Sequence, residues 1–77
     1  MTVESLRKAL GSKPFVPFTL HLASGATARV PSPEFVMINP EAPRSVAIAE
    51  DGGFRIIDLL LVEEIRYEDA KPRKRAG

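Results

Sequence analysis

Residues 45 to 58 run Ser45-Val46-Ala47-Ile48-Ala49-Glu50-Asp51-Gly52-Gly53-Phe54-Arg55-Ile56-Ile57-Asp58, and the fold turns on how this stretch is paired. Val46 and Ile48 alternate with smaller residues, and Phe54 and Ile56 continue the period of two beyond an acidic, glycine-containing break. That is the pattern of two half-buried strands joined by a turn. Cross-strand partners share a face, so the loop length follows from the register that keeps Val46, Ile48, Phe54 and Ile56 together. A three-residue loop of Glu50, Asp51 and Gly52 does this, pairing Ala49 with Gly53, Ile48 with Phe54 and Val46 with Ile56. It also puts Gly52 where the chain turns through positive φ.

The same reasoning applies upstream. Phe18, Leu20 and Leu22 alternate with Thr19 and His21, and Ala26, Ala28 and Val30 alternate with Thr27 and Arg29. A two-residue Ser24-Gly25 turn would set Leu22 against Thr27 and Leu20 against Arg29. A three-residue loop of Ala23, Ser24 and Gly25 instead pairs Leu22 with Ala26, Leu20 with Ala28 and Phe18 with Val30, with glycine again at the last loop position.

Outside the hairpins, Thr2 is placed to cap a helix that starts at Val3, carries Val3, Leu6 and Leu10 on one face and stops at Gly11. A helix this short needs a larger surface to dock on. Pro14 and Pro17 enforce an extended entry to the first strand. Pro31-Ser32-Pro33-Glu34 reads as a single capped helical turn with Pro33 at its first position, and Phe35 to Asn39 as a strand apolar on both faces. Asp58 to Glu68 fits either a helix, with Leu61, Val62 and Ile65 on one face, or a capped turn over Asp58 to Leu61 followed by a strand from Val62 to Tyr67. The β-branched and aromatic residues favour the second. The expected core is Leu6, Leu10, Phe18, Leu20, Leu22, Val30, Phe35, Val46, Ile48, Phe54, Ile56 and Ile65.

The chain has 77 residues and no cysteine. That length allows one small domain, expected over residues 1 to 69, which buries only about 60% of the surface of its unfolded chain. Without cysteine there is no disulfide to supplement the core, which fits a cytoplasmic setting. No apolar run approaches the roughly 20 residues of a membrane span. The formal charge of +1 is uneven: Lys71, Arg73, Lys74 and Arg75 supply four of the eleven basic residues, leaving seven against all ten acids in residues 1 to 70. Residues 70 to 77 are expected to form a disordered basic tail. Those four cations are the candidate nucleic-acid contacts, joined by Arg29, Arg55 or Arg66 on the folded body.

Catalytic chemistry finds little material. His21 is the only histidine, with no cysteine beside it for a transition-metal site. Glu50-Asp51 and Glu63-Glu64 are adjacent in sequence and so point to opposite faces of a strand. Asp58 is explained as a helix cap, and no serine lies in a nucleophile elbow. The sequence therefore argues for a protein without catalytic residues, metal, cofactor or small-molecule substrate. The two-sided apolar runs Phe35 to Ile38 and Leu59 to Val62 exceed what a one-sided sheet needs. They make Phe35, Met37, Leu59 and Leu61 the candidate interface residues of a homo-oligomer or of a complex with a protein partner.

A helix followed by five short strands, with a single turn between the last two, resembles the small antiparallel barrels of the Sm-like and Src-homology-like kind. The Sm-like resemblance implies a five-stranded antiparallel barrel or bent sheet, assembly into rings and RNA binding. The stretch Phe54-Arg55-Ile56-Ile57-Asp58 departs from the Sm pattern by lacking a strand-four glycine, so the RNA site does not carry over with it. The run Pro14-Phe15-Val16-Pro17-Phe18, then Pro33-Glu34-Phe35, then Gly53-Phe54 leading into Ile57-Asp58-Leu59-Leu60 resembles a family of short bacterial proteins without an assigned activity. The resulting expectation is a mainly β domain with one amino-terminal helix, acting as a non-enzymatic interaction module that self-associates, with Sm-like RNA binding as the alternative.

Overall fold

The computed structural model describes residues 1 to 68, so the expected tail over residues 70 to 77 lies outside the described residues. Helix α1 spans Val3–Leu10. Thr2 caps it by accepting the Ser5 backbone N–H at 3.1 Å, and the Gly11 N–H closes its last turn on the Arg7 carbonyl at 2.9 Å. The helix buries Leu6 and Ala9, with Val3 and Leu10 packed at the margin of the core.

Six strands follow: β1 Phe18–Leu22, β2 Thr27–Val30, β3 Val36–Ile38, β4 Ser45–Glu50, β5 Gly53–Asp58 and β6 Val62–Tyr67. They form two antiparallel three-stranded sheets, ordered β2-β1-β6 and β3-β4-β5. The domain is mainly β with one amino-terminal helix, as expected, but six strands in two open sheets stand where a five-stranded barrel or bent sheet was expected. The break falls at Pro31 to Phe35, where a 3-10 turn over Pro33–Phe35 carries the chain from one sheet to the other. Proline has no N–H to continue a ladder, so β2 cannot run on into β3. Phe35 belongs to that turn rather than to the strand expected from Phe35 to Asn39.

The first hairpin forms as its apolar pattern requires. Phe18 pairs with Val30 and Leu20 with Ala28, the Leu22 N–H donates to the Ala26 carbonyl at 2.9 Å, and Gly25 has a φ of +94°. The second hairpin differs from expectation by one residue. Glu50 pairs with Gly53, Ala49 with Phe54, Ala47 with Ile56 and Val46 with Ile57, leaving a two-residue turn of Asp51 and Gly52. Positive φ occurs at Gly52 alone, the position at which a type II turn requires it.

A one-residue slip moves every side chain of a strand to its other face. Phe54 and Ile56, expected in the core, are 66% and 70% exposed, and Ile57 and Leu59 are buried in their place. Matching apolar sets misses this because β4 is apolar on both sides: Val46 and Ile48 face inward and Ala47 and Ala49 outward, so either register sets apolar against apolar. What separates the registers lies further along. In the observed one Leu59 continues the inward parity of Ile57, its N–H donates to the Arg44 carbonyl at 2.7 Å, and Asp58 is free to cap the next turn. Arg55 then lies on the inner side, where its Nη2 donates to the Thr27 carbonyl of β2 at 2.5 Å and its Nε to Glu50 at 2.9 Å. One guanidinium thus bridges the two sheets.

A 3-10 turn over Leu59–Leu61 joins β5 to β6. β6 pairs with β1, and the register shifts between His21 opposite Glu64 and Leu22 opposite Val62. Glu63 is the extra, bulged residue. The bulge explains the helix-like spacing of this segment, because it lets Val62 and Ile65, three apart, both turn toward the core.

The observed register makes a direct prediction. Ile57→Ala is expected to cost about 2–4 kcal/mol, as for other buried large-to-small changes, and Phe54→Ala about 0.5 kcal/mol or less. Urea unfolding checks this, and the reverse ranking would mean that β5 pairs in the other register.

Candidate interaction surface

The two sheets pack their inner faces on a common core and present different outer faces. On the first sheet the outward positions are Thr19 and His21 of β1, Thr27 and Arg29 of β2, and Glu64 and Arg66 of β6. All are polar. On the second, Met37 of β3 lies beside Ala47 of β4, Ala47 beside Ile56 of β5, and Ala49 beside Phe54. No charge interrupts these five residues. Met37 is 61% exposed, so the outer face of the second sheet is apolar and open.

Beyond Ala47 this face runs into a groove of about 470 Å³ between the sheet and the β3–β4 loop. Met37, Asn39, Pro40, Ala42, Ser45 and Ile56 are among its lining residues. Asn39 shapes the loop through its side-chain oxygen, which accepts the Glu41 N–H at 2.9 Å. Phe54, at the opposite end of the sheet beside the Asp51–Gly52 turn, stands out as a knob.

The residues expected at an interface divide. Met37 and Leu61 are exposed, and Leu60 joins them. Leu59 is fully buried in the core, and Phe35 packs half-buried against it, so neither lines an open surface. Their parity depends on the 3-10 turns in which they sit, and a period of two does not continue through such a turn. Phe54 and Ile56 were hidden from sequence reasoning by the same register slip that emptied their expected core positions. The available signal was Ile57-Asp58-Leu59, in which a capping aspartate between two large apolar residues favours burying that pair.

The basic candidates are engaged. Arg29 forks onto Glu68 through Nε at 2.6 Å and Nη2 at 3.0 Å. Arg55 contacts Glu50 at 2.6 Å and Arg66 contacts Glu64 at 3.3 Å. Lys71, Arg73, Lys74 and Arg75 lie outside the described residues. Tyr67, exposed on one side, packs edge-to-face with Phe18, their ring centroids 5.9 Å apart. His21 sits on the polar outer face opposite Thr27 and Glu64. Among the described residues no three potential metal ligands cluster, and no helix is long and apolar enough to cross a membrane.

Asp58 is committed to structure. One carboxylate oxygen accepts the Leu60 N–H at 2.9 Å and the other accepts from Arg44 at 3.0 Å. The Arg44 hydrogen bond first, and the Leu60 N–H second, hold its pKa below the ordinary aspartate range. Arg29 does the same for Glu68.

Comparison of the chain with protein-family models, with curated proteins and with solved structures gave no match. The functional reading therefore stands on the geometry of these faces.

A carboxylate depressed in the folded state contributes stability that is complete above its unfolded pKa and is lost as pH falls through the folded one. The melting temperature is therefore expected to hold steady near neutrality and to fall below about pH 4. Asp58→Asn, which mimics the protonated carboxyl, should lower the melting temperature at neutral pH and converge on the parent as pH falls through the depressed folded-state pKa. An equal offset at both ends of a thermal-melt pH series would remove Asp58 from this account.

Proposed function

We propose that this protein is a non-enzymatic interaction module that binds a protein partner through the outer face of its second sheet. The observation that carries the reading is the contrast between the two outer faces. One sheet turns only polar side chains outward, and the other turns Met37, Ala47, Ala49, Phe54 and Ile56 outward in unbroken register. Isolated exposed apolar residues are ordinary on a soluble protein, and the largest contiguous patch is often a contact surface. The alanines favour the same reading, since small side chains at the centre of a sheet face let another surface approach closely.

Nucleic-acid binding of the Sm-like kind has less support. The three cations that the sequence offers for it on the folded body, Arg29, Arg55 and Arg66, are each taken up by a carboxylate. The two sheets do not close into a barrel, and the stretch from Phe54 to Asp58 lacks the glycine that follows the basic residue in the Sm pattern.

A photo-reactive amino acid placed at Ile56, and separately at Thr19 on the polar face, tests the proposal in living cells. Cross-linked protein adducts are expected from position 56 and not from position 19. Equal yields from both positions, or none from 56, would contradict it.

A further inference from the structure

We infer that the partner seated on this face is a second copy of the chain, packed face to face about a two-fold axis, with Phe54 of each copy inserted into the groove of the other. The inference rests on the reading of the second sheet as an interaction surface and adds the partner's identity.

Shape supplies the first argument. An isologous contact must be self-complementary: whatever projects at one end has to find a matching recess at the other. This face has both. Phe54 projects beside the Asp51–Gly52 turn, and the groove walled by Asn39, Pro40 and Ala42 opens at the opposite end of the strands, beyond Ile56. Ala47 and Ala49 lie between them. A two-fold axis through that central strip carries each knob onto the other copy's recess, while the alanines allow the sheets to approach to the usual packing distance of about 10 Å. A groove of about 470 Å³ has ample room for an aromatic ring, since a cavity of about 150 Å³ already accepts benzene.

Charge supplies the second. Self-apposition places every group on the axis against its own kind, which penalises a charged face. Met37, Ala47, Ala49, Phe54 and Ile56 carry no charge, and Asp58 at the end of the strand is held by Arg44. A face with no charge to steer or select a foreign partner is compatible with itself.

Area fixes the strength. Three strands about 4.8 Å apart and up to six residues long, at about 3.3 Å each, give a footprint of roughly 250–300 Å² per copy, to which the groove wall adds. That is well below the roughly 800 Å² per partner of a standard stable interface. The dimer is therefore weak and reversible, to be sought at chain concentrations between about 1 µM and about 1 mM.

Sedimentation equilibrium on the full chain over a concentration series crossing that range is the test. The parent mass should climb from one toward two chains, Phe54→Asp and Ala47→Arg should each weaken association at least tenfold, and Thr19→Arg on the polar face should behave as the parent. Concentration-dependent amide NMR shifts at Ala47, Ala49, Phe54 and Ile56 give a second readout that needs no variant. A parent that stays monomeric throughout the series, with no such shifts, overturns the dimer. If cross-links from position 56 to other proteins persist in that case, the interaction surface itself stands. A dimer disrupted by Thr19→Arg and untouched by Phe54→Asp would overturn both.

Discussion

The pairing of Glu50 with Gly53 across the Asp51–Gly52 turn fixes more of this molecule than any other contact. With two residues in the turn, Ile57 faces inward, and Leu59 follows it into the core after the intervening Asp58. Asp58 is then left at the surface, between Arg44 and the Leu60 N–H, to start the turn that brings β6 back to β1. Arg55 swings to the inner side and reaches the Thr27 carbonyl of the other sheet. Phe54 and Ile56 have nowhere to go but out. The core contents, the link between the sheets and the apolar outer face are all consequences of one loop length.

A small domain has little freedom in making such a choice. The hydrophobic core of a chain this short gives a thin stability margin, and β5 cannot bury both of its apolar sets in a two-layer structure. Burying Ile57 and Leu59 satisfies the backbone of the following turn, because the Leu59 N–H meets the Arg44 carbonyl and the Val62 N–H meets the Leu59 carbonyl. The cost is that Phe54 and Ile56 remain exposed to water. A partner on that face removes the cost, and this ties the proposed function to the same physical conflict that sets the fold.

Much of the architecture was legible in the residues. Thr2, Gly11 and Gly25 each act through a local mechanism, and each acts as its type predicts, whereas the chain bends at Lys13 and Pro14, across a cis peptide bond, where an extended entry was expected. Leu20 opposite Ala28 and Phe18 opposite Val30 follow from alternation because β1 is apolar on one face only. The same test returned the wrong register for β4 and β5, where Ala47 and Ala49 make the second face apolar as well and pattern alone is degenerate. Met37 and Leu61 were visible as surface candidates. Leu59 and Phe35 were misplaced because each sits in a 3-10 turn beside a strand, where a period of two does not hold, and Phe54 and Ile56 were missed because a large apolar residue in a strand is assigned to the core by default. The strand count and the opening into two sheets depend on Pro31 and Pro33, whose effect on ladder continuity was readable but whose effect on sheet partition was not.

The register of β4 against β5 is thus the central claim, and proton–proton contacts across the hairpin report on it directly. In an antiparallel pair, opposed residues of the non-hydrogen-bonded kind bring their α-protons close together. With the Leu59 N–H bonded to the Arg44 carbonyl, alternation makes Ala47 opposite Ile56 and Ala49 opposite Phe54 such pairs. Nuclear Overhauser spectra should show strong α-proton cross-peaks for Ala47 with Ile56 and for Ala49 with Phe54. Cross-strand contacts that instead set Val46 opposite Ile56 and Ile48 opposite Phe54 would contradict the account, returning both large residues to the core and leaving the outer face without its apolar patch.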